Sequence, residues 1–522
     1  MNPSIQHRTM LTATRWLVAA LAAILTGCAS LPDHVVRVPS QAQAVVTDGR
    51  LAAVATASMT GEDRALSGLR LLPDGEQAFE ARIALVRSAE HAVDAQYYQV
   101  ADDASGRQFL GELCSAAARG VRVRLLVDDL HNINQDASFA ALAAQPGVQV
   151  RLFNPLATRN GGVAGRVLLS LHEFSRVNRR MHNKLLIADN ALSISGGRNI
   201  ADEYFSRGSS ANFIDLDILA AGPVVREQSA VFDGYWNSQH AYPVESLATR
   251  TTGTAPPAEV AEAARAETGL DRLGQSAVGH ELLAGRLTLH MAAVRVVADP
   301  ADKADAANDA ITEDGAVMRS NLELLQSARS EVLVASPYFV PGQRTLAVLQ
   351  HAVDRQVPVS VMTNSLGSTD EPLVHFGYAR YRTGLLAMGV SLFELMPEAV
   401  VSSEEAGRAH GSLGRLHAKV AVVDRRWLQI GSMNMDRRSA HCNTEMGLIV
   451  DSPVLAEQVT ALMRGERMPG SYQVRRGSQP ASLQWVAAGG AGEVVLNAEP
   501  KSTWQVQLKM SMLQWLVSEE WL

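Results

Sequence analysis

Cysteine is scarce in this chain: Cys28, Cys114 and Cys442 are all that 522 residues hold. That is too few for a disulfide scaffold, and no pair has metal-ligand spacing, so neither a cystine-stapled fold nor a structural zinc site organises the protein. Cys114 and Cys442 are expected as two buried thiols, with one disulfide as the alternative in an oxidising compartment. Net positive charge is lacking too. The formal charge is −7, the wrong sign for a protein that neutralises a phosphate backbone over a broad face, so no nucleic-acid partner is expected. Beyond the N-terminus there is no long apolar run, and hence no candidate for an internal membrane-spanning helix. Lysine is nearly absent: only Lys184, Lys303, Lys419, Lys501 and Lys509 occur, and arginine supplies the other 42 of the 47 basic residues.

What remains is ordinary globular material, 47% apolar and 19% charged, enough for two large domains. A different segment precedes it. Arg8 and Arg15 lead into the apolar run 16–25, which closes on Leu25-Thr26-Gly27-Cys28 with no acidic residue before Asp33. The run is about half the ~20 residues a transmembrane helix needs, and it reads as a secretory signal over residues 1–27. Its end resembles the bacterial lipobox, in which the signal is cut before a cysteine that then carries acyl chains. The resemblance makes Cys28 the expected lipid attachment site. It also places the mature chain in the bacterial cell envelope, facing the periplasm from the inner or the outer membrane. Several acyl chains on one residue anchor stably where one does not.

The body of the chain repeats itself. Residues 83–98, a helix-like stretch running into Tyr97 and Tyr98, match residues 322–339, which run into Tyr338 and Phe339. Residues 120–127 match 356–363, and 147–153 match 389–393. Short β-branched runs alternate with amphipathic windows such as 107–119 and 344–355, which predicts βαβ construction around a largely buried sheet. A helix is expected from Pro223, with Phe232, Tyr235 and Trp236 as core. These signals divide the chain into a tether (28–67), a first unit (68–250), an Ala/Glu/Thr/Pro/Gly-rich linker or peripheral helix (251–284), a second unit (285–470) and a C-terminal extension (471–522).

One pattern recurs at fixed spacing. Met181-His182-Asn183-Lys184 is followed by Asp189 and by Gly196-Gly197-Arg198-Asn199; Leu416-His417-Ala418-Lys419 is followed by Asp424 and by Gly431-Ser432-Met433-Asn434. Side chains alternate along a strand, so His and Lys two apart are expected on one strand face, aimed into one pocket. A chain that otherwise uses arginine places lysine at the same point in both copies, where a compact ammonium suits a reacting phosphorus. Histidine titrates near neutrality and serves as nucleophile or as general acid and base.

The doubled pattern resembles the phospholipase D superfamily, whose signature is H-x-K-x4-D with a downstream G-G/S-x-N. The resemblance spans almost the whole mature chain. It implies an α/β fold of two tandem α-β-α sandwich domains with pseudo-two-fold symmetry and one shared active site, with neither metal nor other cofactor. It implies that one His attacks phosphorus to give a phosphohistidine while the other protonates the leaving alcohol and then activates the acceptor. By analogy with two-motif members, His182 is the expected nucleophile and His417 the proton carrier. Lys184, Lys419, Asn199 and Asn434 would hold the phosphate oxygens, with Gly197 and Ser432 as further substrate-binding positions. Members also orient each His with a downstream carboxylate. Glu445, 28 residues after His417, and Asp215, 33 after His182, are the candidates, with Asp217 as the alternative to Asp215. Asp189 and Asp424 read as structural strand-end residues.

Residues 196–205 and 431–439 look like bacterial cardiolipin synthases, particularly the C-type branch. That implies a membrane-anchored phosphatidyltransferase acting on glycerophospholipids, with phosphatidylglycerol as substrate, alone or with phosphatidylethanolamine as donor. A phospholipase D hydrolase releasing phosphatidic acid is the alternative, a phosphodiesterase or nuclease ranks third, and an accessory protein is left open. A non-catalytic lipid-binding lipoprotein is disfavoured by two intact His-Lys pairs. Arg176, Arg179, Arg180, Arg425, Arg426, Arg437 and Arg438 stand near the motifs and suggest a rim for anionic headgroups. The apolar segment 504–521 is expected to dock on the body.

Overall fold

The computed structural model describes residues 30–502 except 33, 62, 134, 160–161, 163–164, 167–168, 248–268, 306–313, 398–411, 465–469, 480–481 and 490–491. The signal segment, Cys28 and residues 504–521 lie outside the described residues.

The strands of the first half are β1 (Ser67–Leu72), β2 (Ala92–Tyr97), β3 (Arg122–Asp128), β4 (Val148–Phe153), β5 (Leu185–Ala188), β6 (Leu192–Gly196), β7 (Ala211–Ile214), β8 (Asp217–Ala221) and β9 (Ala241–Pro243). The second half contributes β10 (His290–Ala298), β11 (Val332–Ala335), β12 (Val359–Asn364), β13 (Ser391–Leu395), β14 (Leu413–Leu416), β15 (Val420–Val423), β16 (Trp427–Gly431) and β17 (Met446–Asp451). It ends on β18 (Ser471–Arg476), β19 (Leu483–Gly489) and β20 (Gly492–Leu496). Pairing runs β4-β3-β2-β5-β6-β8-β1 in one half and β13-β12-β11-β15-β16-β17-β10 in the other. In each half the first three strands are parallel and the rest antiparallel, so the halves are one topology used twice. They meet where β1 and β10 pair antiparallel, Gly68 opposite Met291, which joins them into an 18-stranded sheet.

The central strands, such as β2, β5, β11 and β15, are buried on both faces, as their near-continuous apolar runs require. Helices Gly75–Ser88 and Ala104–Ala118 cover one outer face through Phe79, Leu85, Phe109 and Leu113. Ala316–Gln326 and Gly342–Asp354 cover the other through Leu325, Leu349 and Ala352. Between the halves lies a shared core in which Phe232 and Trp236, of helix Pro223–Trp236, meet Leu455 and Val459, of helix Pro453–Arg464. Proline stands in the first turn of the former, where its missing N–H leaves no intrahelical bond unmade.

Parts of the tether, of the stretch between the repeats and of the C-terminal extension pack onto the body. Within 28–67, the helix Arg50–Ser58 buries Leu51, Val54 and Ala55 in the first core, and Arg37 donates to the carbonyls of Gln239 and Ala241. The described end of the linker, from Gly269, is stitched down by Arg272 on Asp74 and by Gly279 N–H on Glu80, and its Val278 and Leu282 are core. In the extension, β18 pairs with β13 and Trp485 Nε1 donates to buried Glu394 at 2.8 Å. Sparse apolar residues concealed these contacts, because a few well-placed ones suffice to dock a short segment. Cys114 and Cys442 are both free.

Candidate active site

The two motifs are built by strand pairing across the halves. β7 of the first half pairs in parallel with β14 of the second, Ile214 opposite Leu416. A matching bridge joins Met181 to Thr444. Each pairing ends one residue short of a histidine on one chain segment and one residue short of a carboxylate on the other. The register therefore sets His417 beside Asp215 and His182 beside Glu445. His417 N–H donates to Ile214 O at 2.8 Å, and His182 N–H to Thr444 O at 2.9 Å.

Each carboxylate thus orients the histidine of the opposite half, whereas the downstream spacing pairs it with the histidine of its own. Asp215 Oδ2 lies 2.6 Å from His417 Nδ1. Glu445 Oε1 and Oε2 lie 3.1 and 3.0 Å from His182 Nδ1. A carboxylate only accepts, so each Nδ1 carries the hydrogen and each Nε2 keeps its lone pair. Burial pushes His182 down to about 4 against the pull of Glu445, and pushes His417 down against that of Asp215. Burial works to raise both carboxylates, but the facing histidines and nearby lysines outweigh it and hold them below the usual range. The arrangement offers two neutral, oriented imidazoles, each able to attack or to move a proton.

The His-x-Lys tripeptides are not inside strands. β5 begins at Leu185 and β15 at Val420, so His182–Lys184 and His417–Lys419 are extended links before them, their main chain taken up by the cross-half pairing. Each lysine turns back on its own histidine: Lys184 Nζ donates to His182 O at 2.6 Å and Lys419 Nζ to His417 O at 2.5 Å. Both are buried, and burial pushes Lys184 down to about 7 and Lys419 to about 8. Lys419 of the second half also lowers the proton affinity of Lys184 and His182 in the first, which puts the two motifs in one site. Asn199 and Asn434 are buried with their Oδ1 atoms unpartnered.

Gly197 and Ser432 stand behind the carboxylates, where their own polar groups are occupied. A Cβ on Gly197 would sit 2.1 Å from Asp215 Oδ1, so only glycine admits that carboxylate. The Ser432 hydroxyl donates to Glu445 Oε2 at 2.5 Å and accepts from Met446 N–H. Their contacts are with the carboxylates that face the histidines. Asp189 and Asp424 sit at left-handed turns, φ 52° and 55°, and cap the entries to β2 and β11. Asp189 accepts from the N–H groups of Glu90, His91 and Ala92, and Asp424 from those of Arg329, Ser330 and Glu331. Three members of the arginine rim turn inward: Arg180 is fully buried on Asp128, Arg179 donates to Lys303 O and His441 O, and Arg176 to Pro155 O and Glu173. Arg425 and Arg426 pair with Glu331 and Asp451, and Arg438 with Asn178.

Sequence spacing missed a second set of residues. Asp128 Oδ2 accepts Met181 N–H at 3.0 Å; Asn364 Oδ1 accepts Leu416 N–H at 2.8 Å and its Nδ2 donates to Leu416 O at 2.9 Å. These two hold the residue before each histidine, and each stands one position past the matched stretches 120–127 and 356–363, where the repeat already pointed. Lys303 Nζ, 2.7 Å from Asp299 Oδ2, steadies the carboxylate that accepts Glu445 N–H. Tyr98 and Tyr204 pack edge-on against His182 and His417, each at 5.0 Å between ring centres. The scarcity of lysine marks Lys303, the aromatic end of the repeat marks Tyr98 and the stretch 196–205 contains Tyr204, but only proximity in space gives them these roles.

A family model described as "Cardiolipin synthase, PLD-like domain" matches residues 83–236 and 322–466, the two stretches that carry this geometry. The chain belongs to the phospholipase D-like family. This phospholipase D-like chain is 35% identical over 468 residues to Cardiolipin synthase C of Escherichia coli strain K12, covering 87% of this chain and 96% of that one. It is 27% identical over 401 residues to Cardiolipin synthase A of Pseudomonas fluorescens, covering 76% and 68%. Among solved structures, phosphatidylserine synthase of Haemophilus influenzae shares its fold with a TM-score of 0.54 at 11% identity, over 87% of this chain and 96% of that one.

Proposed function

We propose that this phospholipase D-like chain is a lipid-anchored phosphatidyltransferase that makes cardiolipin through a phosphohistidine. The observation that carries the reading is the pair of buried His–carboxylate couples, each crossing between halves and each flanked by a buried lysine. The family model and the cardiolipin synthases among its relatives support the phospholipid transferase class.

His182 Nε2 attacks phosphorus, the bond from phosphorus to the leaving alcohol's oxygen breaks, and His417 gives that oxygen its proton. His417 then takes the proton of an acceptor hydroxyl, whose oxygen attacks phosphorus and releases His182. Lys184, Lys419, Asn199 and Asn434 face the phosphate oxygens, whose charge grows in the transition state, as fixed cations and donors. The incoming anion raises the proton affinity of His417, which burial holds low. Phosphatidylglycerol donates the phosphatidyl group with loss of glycerol, or phosphatidylethanolamine with loss of ethanolamine, and a second phosphatidylglycerol accepts it. Acyl chains on Cys28 hold the site at a periplasmic membrane face, where lipid hydroxyls compete with water at high effective concentration.

Full-length protein in vesicles of phosphatidylglycerol with and without phosphatidylethanolamine tests this. The expected product is mainly cardiolipin, and Cys28→Ser is expected to leave the membrane fraction. Predominant phosphatidic acid at every acceptor density, with cell extract supplying any accessory protein, would make the chain a hydrolase. Unchanged partitioning of Cys28→Ser would transfer the anchor to residues 16–25.

A further inference from the structure

Tyr204 lies outside both His-x-Lys patterns, yet it touches two of their members. It belongs to the short helix Asp202–Phe205, which turns the chain back immediately after Asn199. Its ring is buried edge-on against His417 and packs at 4.7 Å on Phe213. Its hydroxyl oxygen accepts a hydrogen bond from Asn199 Nδ2 at 2.9 Å, also buried. The ring is thus fixed by packing, and its hydroxyl is a fixed point for the amide.

An amide nitrogen carries two hydrogens, so the bond to Tyr204 leaves Asn199 one to spend elsewhere and stops the amide from rotating. Asn434, at the equivalent position of the second half, finds no such support among the described residues: five residues on stands Ser439, whose hydroxyl makes no hydrogen bond and whose N–H is spent on Asp436. The two asparagines are equivalent in spacing and unequal in how they are held.

We propose that Tyr204 is a positioning residue for the phosphate, its hydroxyl locking the Asn199 amide so that the second Nδ2 hydrogen faces a phosphate oxygen. This rests on the reading that Asn199 binds the transferring phosphate. One hydrogen bond among neutral groups shifts an equilibrium by about five- to tenfold, which sets the expected effect. It also predicts where the effect disappears, because a locked amide has nothing to lock once the amide is gone.

The test is a pair of double-mutant cycles. Tyr204→Phe keeps the ring against Phe213 and His417 and removes only the hydroxyl. It is expected to lower kcat/KM for lipid transfer about five- to tenfold and to weaken inhibition by inorganic phosphate by a similar factor. In an Asn199→Ala background the same change is expected to do nothing further, whereas in an Asn434→Ala background its full effect persists. An undiminished loss in the Asn199→Ala background, or no loss in the wild-type background, would overturn the proposal. A wild-type protein that transfers no phosphatidyl group would defeat the parent reading; phosphate binding measured by calorimetry on the same five variants would still decide whether Tyr204 acts through Asn199.

Discussion

Asp215 of the first half lies 2.6 Å from Nδ1 of His417 in the second, and Glu445 of the second lies 3.0 Å from Nδ1 of His182 in the first. Neither half holds an oriented histidine of its own. The exchange follows from register: the segment before each histidine pairs with the segment before the other half's carboxylate, Leu416 with Ile214 and Met181 with Thr444. The shared core around Phe232, Trp236, Leu455 and Val459 fixes the halves against one another and so fixes these distances.

The crossing separates the two carboxylates by chemical step. If His417 carries the proton, Asp215→Asn slows departure of a poor leaving group by about 10²- to 10⁴-fold, and a phosphodiester with a nitrophenol leaving group, which departs without a proton, recovers much of the loss. Glu445→Gln, behind the nucleophile, is expected to slow both substrates alike. Rates of the first turnover for the two substrates decide it; a recovery seen with Glu445→Gln instead of Asp215→Asn would interchange His182 and His417.

Asp189 and Asp424 are predicted to act on stability. Asp424 accepts three N–H groups at an exposed turn, and Asp424→Ala is expected to cost about 1–2 kcal/mol; Asp189→Ala, whose bond to the buried Ala92 N–H is lost, costs more, about 2–3 kcal/mol. Burial works to raise the Asp424 carboxyl, but the N–H groups of Ser330, Arg329 and Glu331 outweigh it and hold it below its ordinary range. Its contribution is therefore present above about pH 4, the unfolded value, and is lost as pH falls through the lower folded one. Denaturation midpoints of wild type and Asp424→Ala are expected to differ at pH 7 and to converge towards pH 3; a constant gap would contradict the account.

The doubled spacing of His, Lys, Asp, Gly and Asn was legible because a repeat prints its chemistry twice. The helix from Pro223 and the paired matches at 120–127 and 356–363 were legible because buried strands and amphipathic helices obey fixed periods. The crossing of Asp215 and Glu445 was not, since pairing between distant segments leaves no local period, and spacing favours the nearer histidine. The roles of Asp299, Lys303 and Tyr204 were not legible for a related reason: each acts through a partner that the fold alone brings close. Three members of the arginine rim failed in the opposite sense. Arg176, Arg179 and Arg180 look like surface charge in sequence, but main-chain carbonyls and carboxylates from other elements draw them inward.

The lysines give activity and stability opposite dependences on pH. Burial pushes Lys184 down to about 7 and Lys419 to about 8, against about 10.4 in an unfolded chain. As pH rises through 7 to 8 the free protein loses the two charges that would meet the phosphate, so kcat/KM is expected to fall in that window, steepening towards a hundredfold per pH unit above about 8. Bound phosphate favours the charged lysines, so kcat is expected to fall at a higher pH than kcat/KM. Stability runs the other way: between about 7 and 10 the unfolded chain binds protons that the folded lysines have released, and folding therefore gains from rising pH. Denaturation midpoints of the wild type are expected to rise from pH 7 to 9.5 relative to Lys184→Met/Lys419→Met, in which those two groups no longer titrate. Parallel curves for the two proteins, together with a kcat/KM that stays flat to pH 9.5, would mean that burial does not hold either lysine uncharged in the free protein.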